Sequence, residues 1–256
     1  MNCLRLGVLA AATFVALHAS PVFAAETPAR NKSAFTLFNP TPTDLLRDLS
    51  TDRPDQTESA YTVDAGHFQL EMDIVNHLRD RDTQGGADVR SRAWSIAPVN
   101  LKLGLFNNVD IQLMLDTHVR ARVEDRVSRA TWKASGFGDA TTRVKINLWG
   151  NDGGKTALAL MPFVKWPLKA SDLRNGKTEG GLIVPFAVEL AGGWGMGVMT
   201  ELDFVRNAAN TGHDREWVNS ITFAHDITEK FGGYVEFFTV TGSAPGFKWQ
   251  GQLAVG

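Results

Sequence analysis

From Gly66 onward the chain alternates apolar and polar residues. Phe68, Leu70, Met72 and Ile74 interleave with Gln69, Glu71 and Asp73. Over residues 109–119, Val109, Ile111, Leu113 and Leu115 share one face, and Asp110, Gln112, Asp116 and His118 share the other. Over residues 140–148, Val144, Ile146 and Leu148 stand opposite Arg143, Lys145 and Asn147. A period of two predicts β-strands with one apolar and one polar face. Further strands are predicted over residues 92–105, 157–166, 181–190, 194–204, 217–227 and 231–240, with a last one starting near Trp249, about ten in view. Alternation does not say which face is inside, so a soluble lipocalin-like barrel fits it as well as a membrane barrel.

The links between these segments alternate in length. Short ones fall at residues 106–108, 150–154, 191–193 and 228–230, and long polar ones at 78–91, 120–138, 167–180, 206–216 and 241–248. In an up-and-down meander this puts the long loops at one end and the tight turns at the other, as in outer-membrane barrels. A Greek-key sandwich gives no such rhythm. Trp149 and Trp166 close predicted strands, and Trp194 and Trp217 open them. That placement suits aromatic girdles at two interfaces, and equally the ordinary preference of Trp for strand ends beside a core. The expectation is an all-β, antiparallel up-and-down transmembrane β-barrel, with about ten strands in view and about twelve when complete. The ending Ala254-Val255-Gly256 lacks the closing aromatic of such barrels, so the sequence reads as truncated by about two strands.

The N-terminus places this barrel outside the cytoplasm. Arg5, an apolar run over residues 6–17 and Val22-Phe23-Ala24 make up a secretory leader cleaved after Ala24. An uncleaved anchor helix is the alternative, disfavoured by Pro21. The predicted organisation is a leader over 1–24, a periplasmic arm over 25–64 and a barrel over 65–256 in the outer membrane of a Gram-negative bacterium. Thr43 to Leu49 could add a helical turn or two, with Thr43 as its cap. The expected partners are outer-membrane lipids and the barrel-assembly machinery. The sole cysteine, Cys3, lies in the leader, so no disulfide or Cys-based chemistry is expected after cleavage. A net charge of -2 gives no reason to expect nucleic acid, and a mean hydropathy of -0.14 is too polar for a helical membrane protein.

The motif Thr51-Asp52-Arg53-Pro54-Asp55 is the sharpest local signal. Asp52, Arg53 and Asp55 are candidates for a gate entering the lumen. They are also candidates for a clamp tying the arm to the barrel, which turn chemistry explains more simply. Arg53 is expected to pair with Glu71 or Asp73. The predicted lumen lining on the first strands is Glu71, Asp73, Asp110, Gln112 and Asp116. On later strands it is Arg143, Lys145, Lys165, Glu189, Glu201 and Asp203. These residues read either as a selectivity lining or as a network of ion pairs filling a narrow barrel. The histidines show no metal-ligand spacing and no hydrolase motif occurs, so neither an enzyme nor a cofactor is predicted.

Several stretches carry a family resemblance. Residues 50–58 (STDRPDQTE) and 65–71 (AGHFQLE) resemble the opening of the MetA-pathway of phenol degradation family, whose members are outer-membrane transporter-like proteins. Gly136-Phe137-Gly138-Asp139, Pro162-Phe163-Val164-Lys165, residues 179–185 and Gly233-Tyr234-Val235-Glu236 fit the same family. The resemblance implies a channel or transporter for small hydrophobic or aromatic compounds. A structural or adhesive barrel is the alternative, and an outer-membrane hydrolase a more distant one.

Overall fold

The computed structural model describes residues 31–53, 55–83, 86–167, 177–228 and 231–256. The predicted leader, Pro54 and the 229–230 turn lie outside these residues. Four long strands come first, each broken in two. They are β1 (Phe68–Met72) with β2 (Val75–Asp82), β3 (Val89–Ile96) with β4 (Val99–Phe106), β5 (Val109–Leu115) with β6 (His118–Asp125), and β7 (Ala130–Gly136) with β8 (Ala140–Trp149). Unbroken strands follow: β9 (Thr156–Trp166), β10 (Glu179–Glu189), β11 (Trp194–Arg206), β12 (His213–Thr228), β13 (Phe231–Gly242) and β14 (Gln250–Val255).

All pairings between these strands are antiparallel. One sheet has ten strands in the order β1-β4-β5-β8-β9-β10-β11-β12-β13-β14, and the other has four in the order β2-β3-β6-β7. This is the expected meander. Barrel closure is not part of it, because β1 and β14 remain the two edges of the larger sheet.

The breaks form one row across four strands. Ala97 takes a left-handed φ of 48°, and the backbone is stitched there by Ala97 N–H to Ile74 O (3.1 Å), Asp73 N–H to Pro98 O (3.3 Å) and Gly138 N–H to Asp116 O (2.9 Å). The cross-strand register is kept through the row, with Met72 opposite Val99 before it and Val75 opposite Ile96 after it, but the buried residues change parity from one side of each break to the other. The polar set thereby changes sides. On β4 and β5, Asn100, Lys102, Asp110 and Gln112 are buried, whereas on β3 and β6 the same even-numbered phase puts Arg92, Arg120 and Arg122 in the open.

The breaks correct several sequence-based expectations. His118 does not share a face with Asp116, because the buried positions change from even-numbered on β5 to odd-numbered on β6. The expected long links at 78–91 and 120–138 are mostly strand: β2–β3 and β6–β7 run through them, and among the described residues 83, 86–88, 126–129 and 137–138 remain outside strands. Their polar side chains on the open face hid the strand pattern. Trp217 falls inside β12 rather than at its start. The helical segment shrinks to a 3-10 turn at Thr43–Leu45, with Pro42 and not Thr43 at its N-cap.

The arm is laid into the larger sheet from its short-turn end. Leu37 N–H bonds Leu105 O (2.8 Å), and Gly66 and His67 bridge to both backbone groups of Gly104. A Cβ at residue 104 would come within 2.0 Å of Asp64 O, so only glycine admits the arm this closely.

Candidate functional site

The side chains facing the arm are the polar ones. Lys102 is 2% exposed and Lys145 0%, while their outward neighbours Leu101 and Leu148 are 43% and 48% exposed. The arm supplies the counter-charges. Asp52 lies between the ammoniums of Lys102 (2.5 Å) and Lys145 (2.8 Å), and Lys102 also meets Glu71 (2.5 Å). The Asp52 backbone N–H donates to both Glu71 oxygens, and Asp52 Oδ1 accepts the Ser59 N–H (2.9 Å). Burial alone would raise the Asp52 carboxyl. The Lys145 and Lys102 charges outweigh it and hold the group well below the usual carboxylate range.

Arg53 pairs with Asp73, one of the two carboxylates expected for it, and Arg143 pairs with Glu58. Burial pushes the Glu58 carboxyl up despite that pairing. At the far end of the segment, Gln56 N–H and Thr57 N–H donate to Glu236 on β13, and the Thr57 hydroxyl contacts Ser220, Thr222 and Glu236 at 2.7 Å each. Asp55 is half-buried beside this group. Burial, with the charges of Glu236, Glu58 and Asp52 adding to it, pushes its carboxyl up to about 7.

These contacts measure how far the larger sheet curls. Asp52 touches β1 and Thr57 touches β13, eight strand steps away in the sheet order. Laid flat, eight steps would span about 38 Å. Five residues of chain reach at most about 18 Å. The sheet therefore wraps around the arm, which bridges its two edge regions.

A second cluster fastens the arm at the short-turn end. Arg47 bonds Asp152 and Asn107 (2.8 and 2.9 Å), Lys32 pairs with Asp152 (2.8 Å) and Asp64 (3.3 Å), and Asn151 holds both the N–H and the hydroxyl of Thr62. Between the clusters the inner face becomes apolar, with Ala60 of the arm against Ala157 and Ala159, and Met161, Ile183 and Met199 packed beyond.

The predicted lining residues distribute unevenly. Glu71, Asp110, Gln112, Arg143 and Lys145 face the arm: Asp110 accepts the Val63 N–H (3.0 Å), and Gln112 donates to Asp110 (3.1 Å). Glu201 and Asp203 are half-buried on β11. Lys165 sits near the long-loop end with Asp139 (3.6 Å) and Glu179 (3.4 Å). Asp116, just after β5, and Glu189, at the end of β10, continue the inward phase of Gln112 and Ile183 and are exposed there. Lys102, Glu236, Glu58 and Thr57 were missed. Lys102 stands between Leu101 and Leu103, and Glu236 between Val235 and Phe237, the same alternation that marks Lys145.

The fold and this interior define an all-β protein of the wide-meander type whose polar concave face is occupied by its own N-terminal arm. Residues 51–256 match the family described as the MetA-pathway of phenol degradation, and the chain belongs to that family. The match begins at Thr51, so it includes the arm segment that fills the sheet. No curated protein and no solved structure matches the chain.

Proposed function

We propose that the protein is an outer-membrane β-barrel through which small hydrophobic or aromatic compounds pass. One observation carries the membrane reading: the larger sheet is inside out. Its buried face holds Lys102, Lys145, Gln112 and Glu236, and its exposed face holds Leu101, Leu113, Leu182, Phe223 and Phe237. In water such an apolar surface is a liability, because soluble monomers rarely expose patches beyond a few hundred Å². In a bilayer the arrangement is the stable one.

The height of the band supports the same reading. Trp166 pairs with Ala140 at one end of β8, and Trp149 ends that strand. The nine-residue rise is about 30 Å of strand, or about 23 Å at the tilt of about 40° usual for such barrels, close to their apolar band of about 25 Å. Fractionation tests it. The protein is expected with the outer membrane, migrating on gels in a heat-modifiable form, and recovery from the periplasm without detergent refutes it.

The aromatic cargo rests on the family and on the apolar strip of Met161, Ile183 and Met199 along the inner face. The arm occupies the passage at rest. Arg53→Ala should loosen it, raising planar-bilayer conductance and speeding uptake of a small phenol. The extent of the arm's ion pairing favours a second reading, a closed structural barrel. Unchanged conductance and uptake in this variant select that reading.

A further inference from the structure

The outer face of the four-stranded sheet carries a row of cations. In register, Arg79 stands opposite Arg92, Arg92 opposite Arg122, and Arg122 opposite Lys133. Cross-strand neighbours on one face have Cβ atoms about 5 Å apart, and like charges directly opposite each other repel. The next row out adds Arg81 opposite Arg90. Neutralisation from within the chain is partial. Arg81 bonds Asp88 through Nε (2.8 Å) and Nη2 (3.0 Å), and Arg122 pairs with Glu124. Arg79, Arg92 and Lys133 have no ion-pair partner among the described residues. A cavity of about 320 Å³ lies against Arg79, Asp80, Arg81, Arg90 and Arg92.

Stability does not explain four cations in one row, since each opposite pair costs free energy. Position offers the explanation. The row nearest the larger sheet contains Trp94, with its ring 4.1 Å from that of His77, and then the exposed Ile96 and Ile74 begin the apolar band. Reading outward, the surface passes from aliphatic to aromatic to guanidinium, the order of chemistry met on leaving a leaflet through its phosphate layer. Guanidinium forks bind phosphate oxygens in pairs, and rungs about 5 Å apart let adjacent strands share one phosphate.

We propose that this face binds the phosphates of a phosphorylated lipid headgroup in the leaflet around the barrel. This rests on the membrane reading above. Lipid A, which carries two phosphates, is the probe. The purified protein is first reconstituted into phosphatidylcholine vesicles, then transferred to detergent, and lipid binding is counted by native mass spectrometry. Lipid A should bind at least about tenfold more tightly than its dephosphorylated form, one charge-assisted contact or more. The double variant Arg79→Ala with Arg92→Ala should bind lipid A no better than wild type binds the dephosphorylated form. Inorganic phosphate equimolar with lipid A should not displace it.

Equal binding of the two lipids by wild type overturns the proposal, and that comparison needs no variant to fold. Undiminished binding by the double variant overturns it too. Displacement by equimolar inorganic phosphate replaces it with a free-anion site. Failure to enter phosphatidylcholine vesicles overturns both this proposal and the membrane reading, whereas entry without phosphate preference overturns this one alone.

Discussion

The two sheets share the same four long strands and have opposite polarity. In the larger sheet Lys102, Gln112 and Lys145 are buried and Leu101 and Leu113 are exposed; in the smaller one Ala121, Val123 and Ala134 are buried and Arg92, Arg122 and Lys133 are exposed. The sequence does not change phase between them. Even-numbered residues are the polar ones through most of β3 to β4 and β5 to β6, and odd-numbered ones from β1 to β2 and β7 to β8. What changes is the face that is buried: the register runs unbroken through the row of breaks, and the polar set passes there from inside to outside. On the proposed membrane reading, a single alternating code is thus read one way where the surroundings are apolar and the other way where they are water. The four-stranded sheet obeys the ordinary rule of a soluble protein, and the ten-stranded sheet obeys its inverse.

The contrast can be broken most forcefully at its charged centre. Asp52→Ala leaves Lys102 and Lys145 buried around a missing counter-charge. Removing one partner of a buried ion pair typically costs about 3–5 kcal/mol. Val123→Ala, in the buried face of the smaller sheet, removes two methyl groups and should cost about 1.6 kcal/mol. Denaturant unfolding in detergent compares the two, and a larger loss at Val123 would mean that the ion pairs do not hold the interior. On the outer faces, Leu113→Arg should lower stability in bilayers by about 2–4 kcal/mol if the residue lies near the midplane. Lys133→Arg, on the outer face of the smaller sheet, should leave it unchanged. Arg tolerated equally at both positions would remove the solvent difference on which the comparison stands.

Much of this was legible in the residues. The period of two gave the strands, and the density of Asp, Arg and Pro around Thr51 marked the arm segment that enters the sheet. The side of each face was not legible, because alternation defines two faces without orienting them. The breaks were hidden for a different reason. The polar phase runs straight through them, and an Ala at φ 48° carries no residue-type signature of a left-handed position. For Glu236 the partner was out of reach. Its contact with Thr57 spans 179 residues and exists only once the sheet has curled.

The interior should also respond to pH. The Asp55 carboxyl, pushed up to about 7, favours its protonated form in the docked arm. Its contribution to docking is therefore complete below the ordinary carboxylate range and is lost as pH rises through about 7. Asp52 has the opposite sign, with a contribution present above the ordinary range and lost only as pH falls through its lowered value. The arm should be held most firmly between those limits. Protease cleavage of the arm should increase from pH 6 to pH 8 in wild type and stay flat in Asp55→Asn. A pH-independent wild type would contradict the carboxylate crowding around Glu236.

The smallest expected effect bears on why that outer face is cationic at all. Arg92 stands between Arg79 and Arg122, so it meets a like charge on each side. Replacing it with Thr removes two repulsive cross-strand pairs and introduces a β-branched residue suited to a strand. Each pair contributes about 0.2–1 kcal/mol. In detergent free of phosphorylated lipid, Arg92→Thr should therefore leave the protein slightly more stable, by a few tenths to about 1 kcal/mol. Adding lipid A should reverse the order, because only wild type keeps the full row of phosphate-binding forks. Thermal unfolding with and without the lipid reads both signs in one experiment. A variant less stable than wild type without lipid would show that Arg92 supports the sheet itself. In that case the smaller sheet would be charged on its outer face for structural reasons, and its contrast with the larger one would stop at the choice of solvent.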